Sequence, residues 1–207
     1  MVAETLKQAL ARRQLGTALA LFLADSDPVS VHCLACGGGE LASHLAAEAH
    51  ETPFNQHALS LYSDMKPKEL FGLRNKYWNA MKHATDLNGI LRDDDVLMSG
   101  FTDEHNDHAL FVGWYDYANA VKCIPIEAQA FEVWYFANFP EKLTDEFPAA
   151  NYESFFPGIR TMSRVEKKRA LKRKIDWAKT SIDAMMDSRT DRRRLILGRL
   201  SVPLPIA

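Results

Sequence analysis

Apolar residues recur at intervals of three and four along most of the chain, a pattern that predicts α-helices rather than strands. A first helix is expected over residues 3–24 and a second from Pro28 to about His50. Asp27 precedes that proline, and an Asp cap followed by Pro is a strong start signal for a helix. Three consecutive glycines, residues 37–39, fall inside the second helix. Because glycine is a poor helix former, they predict either close approach of another backbone or a break in the helix.

Three more helices follow, with less regular segments between them. They are expected over residues 67–84, 103–121 and 125–139. Residues 54–65 are ambiguous, and residues 86–102 read as an acidic loop that contains glycine.

The last third of the chain begins with short helical turns and loop over residues 140–162. Ser163 and Glu166 then match a capping box, in which each side chain accepts from the other residue's amide. The helix that they open is expected to reach about Asp187. Its apolar stripe comprises Leu171, Ile175, Ala178, Ile182 and Met185.

These elements predict an all-α fold, an antiparallel bundle of five to six helices with a basic C-terminal helix. Residues 1–140 would form the helical bundle core, and residues 141–207 a C-terminal helical extension. The apolar tail, residues 195–207, is unfavourable in water and should pack on the core or on a second subunit.

The net charge of −2 conceals an uneven distribution. Residues 1–159 hold 11 Lys+Arg and 22 Asp+Glu, and residues 160–207 hold 14 and 5, so the two segments carry −11 and +9. The basic segment should therefore pack against the acidic body of its own or a partner chain, or face phosphates. A homo-oligomer is one expected outcome, and RNA or another phosphate ligand is the other.

Hydropathy and the cysteines indicate in which cellular compartment the chain is expected. No apolar run reaches the roughly 18 residues that span a bilayer, so no membrane association is expected. The three cysteines have no disulfide-framework spacing, which favours a reducing compartment and a cytoplasmic location. Cys33 and Cys36 are interpreted as small core residues.

The segment from Arg74 to Ala84 is the richest in candidate chemistry. Asn79 and His83 are four residues apart and share a helix face, and Arg74 lies near the same side. These three could bind a phosphate, with the imidazole in proton transfer, which makes them the catalytic candidates. The alternative is that His83 only caps the helix C-terminus. Further phosphate contacts are assigned to basic residues near this helix end and on the C-terminal helix: Lys82, Lys168 and Lys172.

The stretch Asn79-Ala80-Met81-Lys82-His83 resembles the end of the Arg-Asn-x-x-x-His motif of HEPN-type helical proteins. That resemblance implies a compact, dimeric helical bundle acting as a metal-independent ribonuclease, with His83 in proton transfer and an arginine on the phosphate. Trp78 occupies the motif's arginine position, and Arg74 stands one turn earlier. The Asp27–His32 segment, the Asn79 motif and Asn106-Asp107 also resemble uncharacterised bacterial helical proteins, which implies an all-α fold and no particular activity.

Two other hypotheses remain open. A metal-dependent helical-bundle enzyme would use a divalent metal, and Glu104 and His108, four residues apart, could present two ligands on one helix face. The full ligand set would comprise His32, His83, Glu104, His108 and Glu127. Glu104 to His108 can equally be an ordinary solvated helix start. The third hypothesis is a non-catalytic, antitoxin-type interaction module.

Overall fold

The computed structural model describes residues 4–62, 64–143 and 148–199. Two compact units divide the chain: one holds the residues up to Val121 together with those from Ile196 onward, and the other holds Lys122–Leu195. The helices of the first unit are α1 (Leu6–Leu23), α2 (Pro28–Glu48), α3 (Phe54–Leu61), α4 (Pro67–Lys82), α5 (Asp95–Ser99) and α6 (His105–Val121).

The core of the first unit lies where α2 packs against α1 and α6. Each of these helices contributes fully buried apolar side chains, among them Leu15, Leu19, Phe22, Val31 and Leu110. Local signals set the helix starts. Asp27 accepts from the amides of Val29 and Ser30 at 3.3 and 2.9 Å, which confirms the predicted cap of α2.

Gly39 of α2 and Gly113 of α6 lie against each other. A Cβ atom on Gly39 would stand 3.3 Å from the Cα of Gly113, and one on Gly113 would stand 2.5 Å from Cδ2 of Leu15. Helix α2 continues through residues 37–39 without interruption. Of the two interpretations of the glycine run, close approach of another backbone is therefore the correct one.

The second unit begins with β1 (Ile124–Pro125) and α7 (Ile126–Asn138) and continues, after short turns, into α8, α9, α10 and β2. Their bounds are Ala149–Phe155, Arg164–Thr180, Ile182–Met186 and Thr190–Asp191, with 3-10 turns at Pro140–Lys142 and Ile159–Thr161. The two strands pair in parallel, Ile124 opposite Thr190 and Pro125 opposite Asp191. Trp134 of α7 is fully buried, stacks on Phe131 at 5.5 Å between ring centroids and donates from Nε1 to the carbonyl of Lys167 at 3.0 Å.

The expected predominance of α-helix is confirmed, but the expected number of helices is too low. Ten α-helices lie within the described residues, because α3, α5, α8 and α10 are short elements that the hydrophobic pattern does not resolve. The small parallel pair of strands was not expected. Antiparallel bundle geometry and a folding boundary at residue 140 stay predictions; α7, expected in the core, clusters with the second unit.

The capping box at Ser163 is confirmed, but the helix that it opens ends at Thr180 instead of Asp187. Ser181 has extended backbone and caps α10, where its Oγ accepts from the amide of Ala184 at 3.3 Å. Ile182 is 78% exposed as a result, so the predicted stripe stops at Ala178. Residues 200–207, most of the predicted apolar tail, lie outside the described residues.

In the part of the chain that the structure describes, no helix combines the length and the apolar composition needed to cross a membrane.

Candidate functional site

Arg74 points into a buried polar cluster between α3, α4 and α6. Its Nη1 donates to Oδ1 of Asn55. Asp116 of α6 is fully buried and accepts at Oδ1 from the amide of Phe54 at 2.7 Å. Burial raises the pKa of Asp116, whereas the Phe54 amide and the Arg74 charge lower it. The Arg74 charge thus favours the ionised form of the buried Asp116 carboxylate.

His83 lies in a different environment from Arg74. It is the C-terminal cap of α4, its amide donates to the carbonyl of Asn79 at 3.1 Å, and it is exposed. At 1.5 Å per residue, His83 is about 13 Å along the helix from Arg74. Asn79 is half-buried, and Lys82 places its Nζ 3.6 Å from the centroid of the Trp78 ring. The structure therefore does not bring the three catalytic candidates together at one point.

The residues of the metal hypothesis are also dispersed. Helix α6 starts at His105, two residues later than expected, so Glu104 lies directly before its first residue and His108 lies within it. Glu127, in the second unit, pairs with Lys179 at 2.7 Å between Oε1 and Nζ. Within residues 4–62, 64–143 and 148–199, no three His, Cys, Asp or Glu side chains are grouped so as to hold a metal ion.

His32 is buried, with only 3% of its surface exposed. Nδ1 lies 2.9 Å from Oδ1 of Asn106, whose Nδ2 donates to the carbonyl of Pro28 at 3.0 Å. The amide is thereby oriented so that Nδ1 of His32 is the protonated nitrogen. Nε2 has no hydrogen-bond partner among the described residues, and the rings of Tyr77 and Phe101 pack edge-on at 6.3 and 5.2 Å.

This burial predicts a loss of stability in mild acid. Burial is the main cause that lowers the pKa of His32 below its ordinary value of 6.5. As the pH falls below about 6.5, His32 becomes protonated in the unfolded chain but stays neutral in the folded protein. The free energy of unfolding therefore decreases. Urea denaturation between neutral and mildly acidic pH measures the effect. The substitution His32→Gln, which keeps an amide donor near Asn106, should weaken the pH dependence; an identical pH profile would contradict the assignment.

The basic residues of helix α9 lie in different environments. Lys168, a predicted phosphate ligand, is only 4% exposed and therefore unsuited to bind a phosphate from solution. Lys172, also predicted, is exposed. Leu171, Ile175 and Ala178 face the core of the unit.

A third face of α9 borders an open cleft of about 380 Å³. Its helix positions follow each other at the spacing of one helical face: Ala170, Arg173, Lys174 and Trp177. The opposite wall is formed by Phe155, Phe156, Pro157 and Met162. Lys174 places its Nζ 4.8 Å from the ring centroid of Trp177 and 5.6 Å from that of Phe155. Both rings remain accessible, Trp177 at 59% and Phe155 at 47% exposure.

The turn between α8 and α9 builds this wall. Phe156 is buried and anchors the end of α8, and Gly158 takes a left-handed conformation at φ +69° that suits glycine. The carboxylate of Glu166 then accepts from the Ser163 amide at 2.8 Å and fixes the start of α9. Sequence reasoning missed this cleft, although Trp177 is the one aromatic residue in the basic helix and Phe155-Phe156-Pro157-Gly158 precedes it.

The cleft therefore brings accessible aromatic rings and cations together, whereas the three catalytic candidates of α4 do not meet at one point. No protein-family model, curated protein or solved structure matches the chain, so its function has to be inferred from its own residues.

Proposed function

We propose that the chain binds single-stranded RNA through the cleft between α8 and α9. The observation that carries the proposal is the juxtaposition of two accessible rings, Trp177 and Phe155, with Lys174 between them. Proteins that bind single strands combine aromatic side chains, on which bases stack, with a cationic groove that follows the phosphates. A purely structural tryptophan would be expected to bury more of its ring.

The charge of α9 fits the same ligand. Residues 164–180 contain eight Lys+Arg and two Asp+Glu. Arg173, which lines the cleft, and Lys172 are both exposed. Phosphates in solution can therefore reach both cations. Such contacts release counterions from the nucleic acid, so affinity depends strongly on salt.

The HEPN resemblance also implies RNA as the ligand, and it concerns a different helix. The proposal covers binding and leaves out cleavage, because Arg74 lies in a buried cluster with Asn55 and Asp116 whereas His83 is exposed at the helix end. The HEPN resemblance implies an arginine and a histidine that act at one phosphate, and here the two residues lie in different environments.

The substitution Trp177→Ala is expected to weaken RNA binding roughly 5- to 140-fold, since stacking contributes about 1–3 kcal/mol per base. Fluorescence anisotropy of a labelled oligouridine of about 12 nucleotides, at low salt, measures this. The matched control is Lys172→Ala, on the same helix but outside the cleft, for which we expect a clearly smaller loss. A DNA oligonucleotide of the same sequence reports whether the 2′-hydroxyl contributes.

Two outcomes would contradict the proposal. One is an absence of RNA binding by the native chain at low salt. The other is an affinity of the Trp177→Ala protein equal to that of the native chain, which would place the binding surface elsewhere.

A further inference from the structure

An ordered turn projects from the first unit between Ala84 and Arg92. The amide of Arg92 donates to the carbonyl of Ala84 at 3.0 Å, and Thr85 forms an antiparallel bridge with Leu91. The carboxylate of Asp86 accepts from the amides of Asn88 and Ile90 at 2.8 and 2.9 Å. We name this turn, together with the three aspartates that follow it, the acidic hairpin, residues 84–95. Its backbone is internally bonded, so its side chains have defined positions.

The apolar side chains of the acidic hairpin point into solvent. Leu87 is 106% exposed, Leu91 77% and Ile90 64%. Three aliphatic residues on one ordered turn contribute nothing to the core, and an exposed apolar group of this kind marks an interaction surface.

The acidic hairpin also carries four carboxylates. Asp86 lies within the turn, and Asp93, Asp94 and Asp95 come directly after it. The one cation in this segment, Arg92, pairs with Asp94 at 2.7 Å between Nε and Oδ2. The surface that fits the hairpin should therefore be apolar with cations at its border.

The cleft between α8 and α9 has this chemistry. Phe156, Pro157 and Met162 give it an apolar wall, and Arg173 and Lys174 supply positive charge. Like a single-stranded RNA, the acidic hairpin combines apolar groups with negative charge, and the cleft can contact both.

We propose that the acidic hairpin of one copy of the chain docks into the cleft of a second copy and excludes RNA from it. The exposed side chains of Leu87, Ile90 and Leu91 are accessible to a second copy. The contact joins two different surfaces of the chain. Repeated contacts of this kind close into a dimer or ring if the rotation between neighbouring copies allows it, and otherwise they build an open filament. Self-association stands on the hairpin and the cleft alone; the exclusion of RNA rests on the proposed function.

Sedimentation velocity of the full chain at low salt, over a range of micromolar concentrations, tests the docking. The native chain should self-associate, and Leu87→Ser should weaken association about tenfold or more, because burial of a leucine is worth that much in affinity. The control Ile182→Ser, at another exposed aliphatic residue, should associate like the native chain. A native chain that stays monomeric, or a Leu87→Ser protein that associates normally, would overturn the proposal.

A charge exchange tests the partner surface directly. Lys174→Glu and Asp93→Lys should each weaken association, and an equimolar mixture of the two proteins should associate more strongly than either alone, since each hairpin then meets a cleft of opposite charge. A mixture no stronger than its components would overturn the assignment of the cleft as the docking site.

RNA binding separates this inference from the proposed function. At protein concentrations that support association, Leu87→Ser should bind oligouridine more tightly than the native chain, and the RNA should dissociate the native assembly. Association that depends on Leu87 and Lys174 without any RNA binding would remove the proposed function and leave the docking intact. RNA binding that leaves association unchanged would overturn exclusion at the cleft. Tighter RNA binding by Leu87→Ser in a protein that is monomeric throughout would indicate docking within one chain and overturn the second copy.

Discussion

Replacing Arg74 by methionine is expected to lower the free energy of unfolding by about 1–3 kcal/mol at neutral pH, the usual cost of leaving a buried polar group without its partner. Asn55, which is buried, would lose the hydrogen bond from Arg74. Asp116, which is fully buried, would keep its Phe54 amide but lose the nearby positive charge. Chemical denaturation measures the change, with Lys68→Met, an exposed position on the same helix, as control.

The pH dependence identifies the cause. Burial raises the pKa of Asp116 from its ordinary value of 3.8, and removal of Arg74 should raise it further. The folded variant then takes up a proton at a higher pH than the unfolded chain does, so its deficit relative to the native protein should shrink as the pH falls. Adding Asp116→Asn to Arg74→Met should recover part of the loss. A catalytic role for Arg74 predicts the contrary, normal stability with RNA cleavage lost.

Trp134→Ala is expected to destabilise the second unit by about 3–5 kcal/mol, the usual cost of truncating a buried aromatic side chain. The Trp134 ring is fully buried against Phe131, and its Nε1 bond to the Lys167 carbonyl joins α7 to α9. Thermal or urea denaturation followed by circular dichroism measures the loss, and RNA binding should fall with the folded fraction.

The other tryptophan gives the matched comparison. Trp177→Ala removes a ring that is largely exposed, so its effect on stability should stay within about 0.5 kcal/mol. The two substitutions should therefore separate: one acts on folding, and the other acts on RNA affinity alone. Equal destabilisation by both would show that Trp177 belongs to the core.

Helix starts could be read from the sequence because they depend on local hydrogen bonds. Asp27 before Pro28, and Ser163 with Glu166, each complete their cap within three residues. The end of α9 at Thr180 could not be read, because a stripe that continues to Ile182 gives no sign that Ser181 starts a new turn. The pairing of Ile124 with Thr190 depends on packing between distant segments, and neither strand has a pattern of its own.

The same distinction between local and long-range interactions applies to the candidate site. Helical spacing predicted Asn79 and His83 near one end of a helix, but it could not show that Arg74 faces Asn55 and Asp116, which lie on other helices. Phe155 and Trp177 meet only because of the turn between α8 and α9. Ribonuclease activity, a divalent metal and a homo-oligomer stay predictions, and sedimentation velocity tests the last of them.

The parallel strands β1 and β2 have a consequence for how this chain can change. The second unit runs from Lys122 to Leu195, and the strands near its two ends, β1 and β2, are neighbours in the sheet, about 5 Å apart. An inserted segment whose ends adjoin needs a single point of attachment, so it can be lengthened, exchanged or grafted elsewhere as a cassette. The cleft between α8 and α9 lies wholly inside that segment and would travel with it.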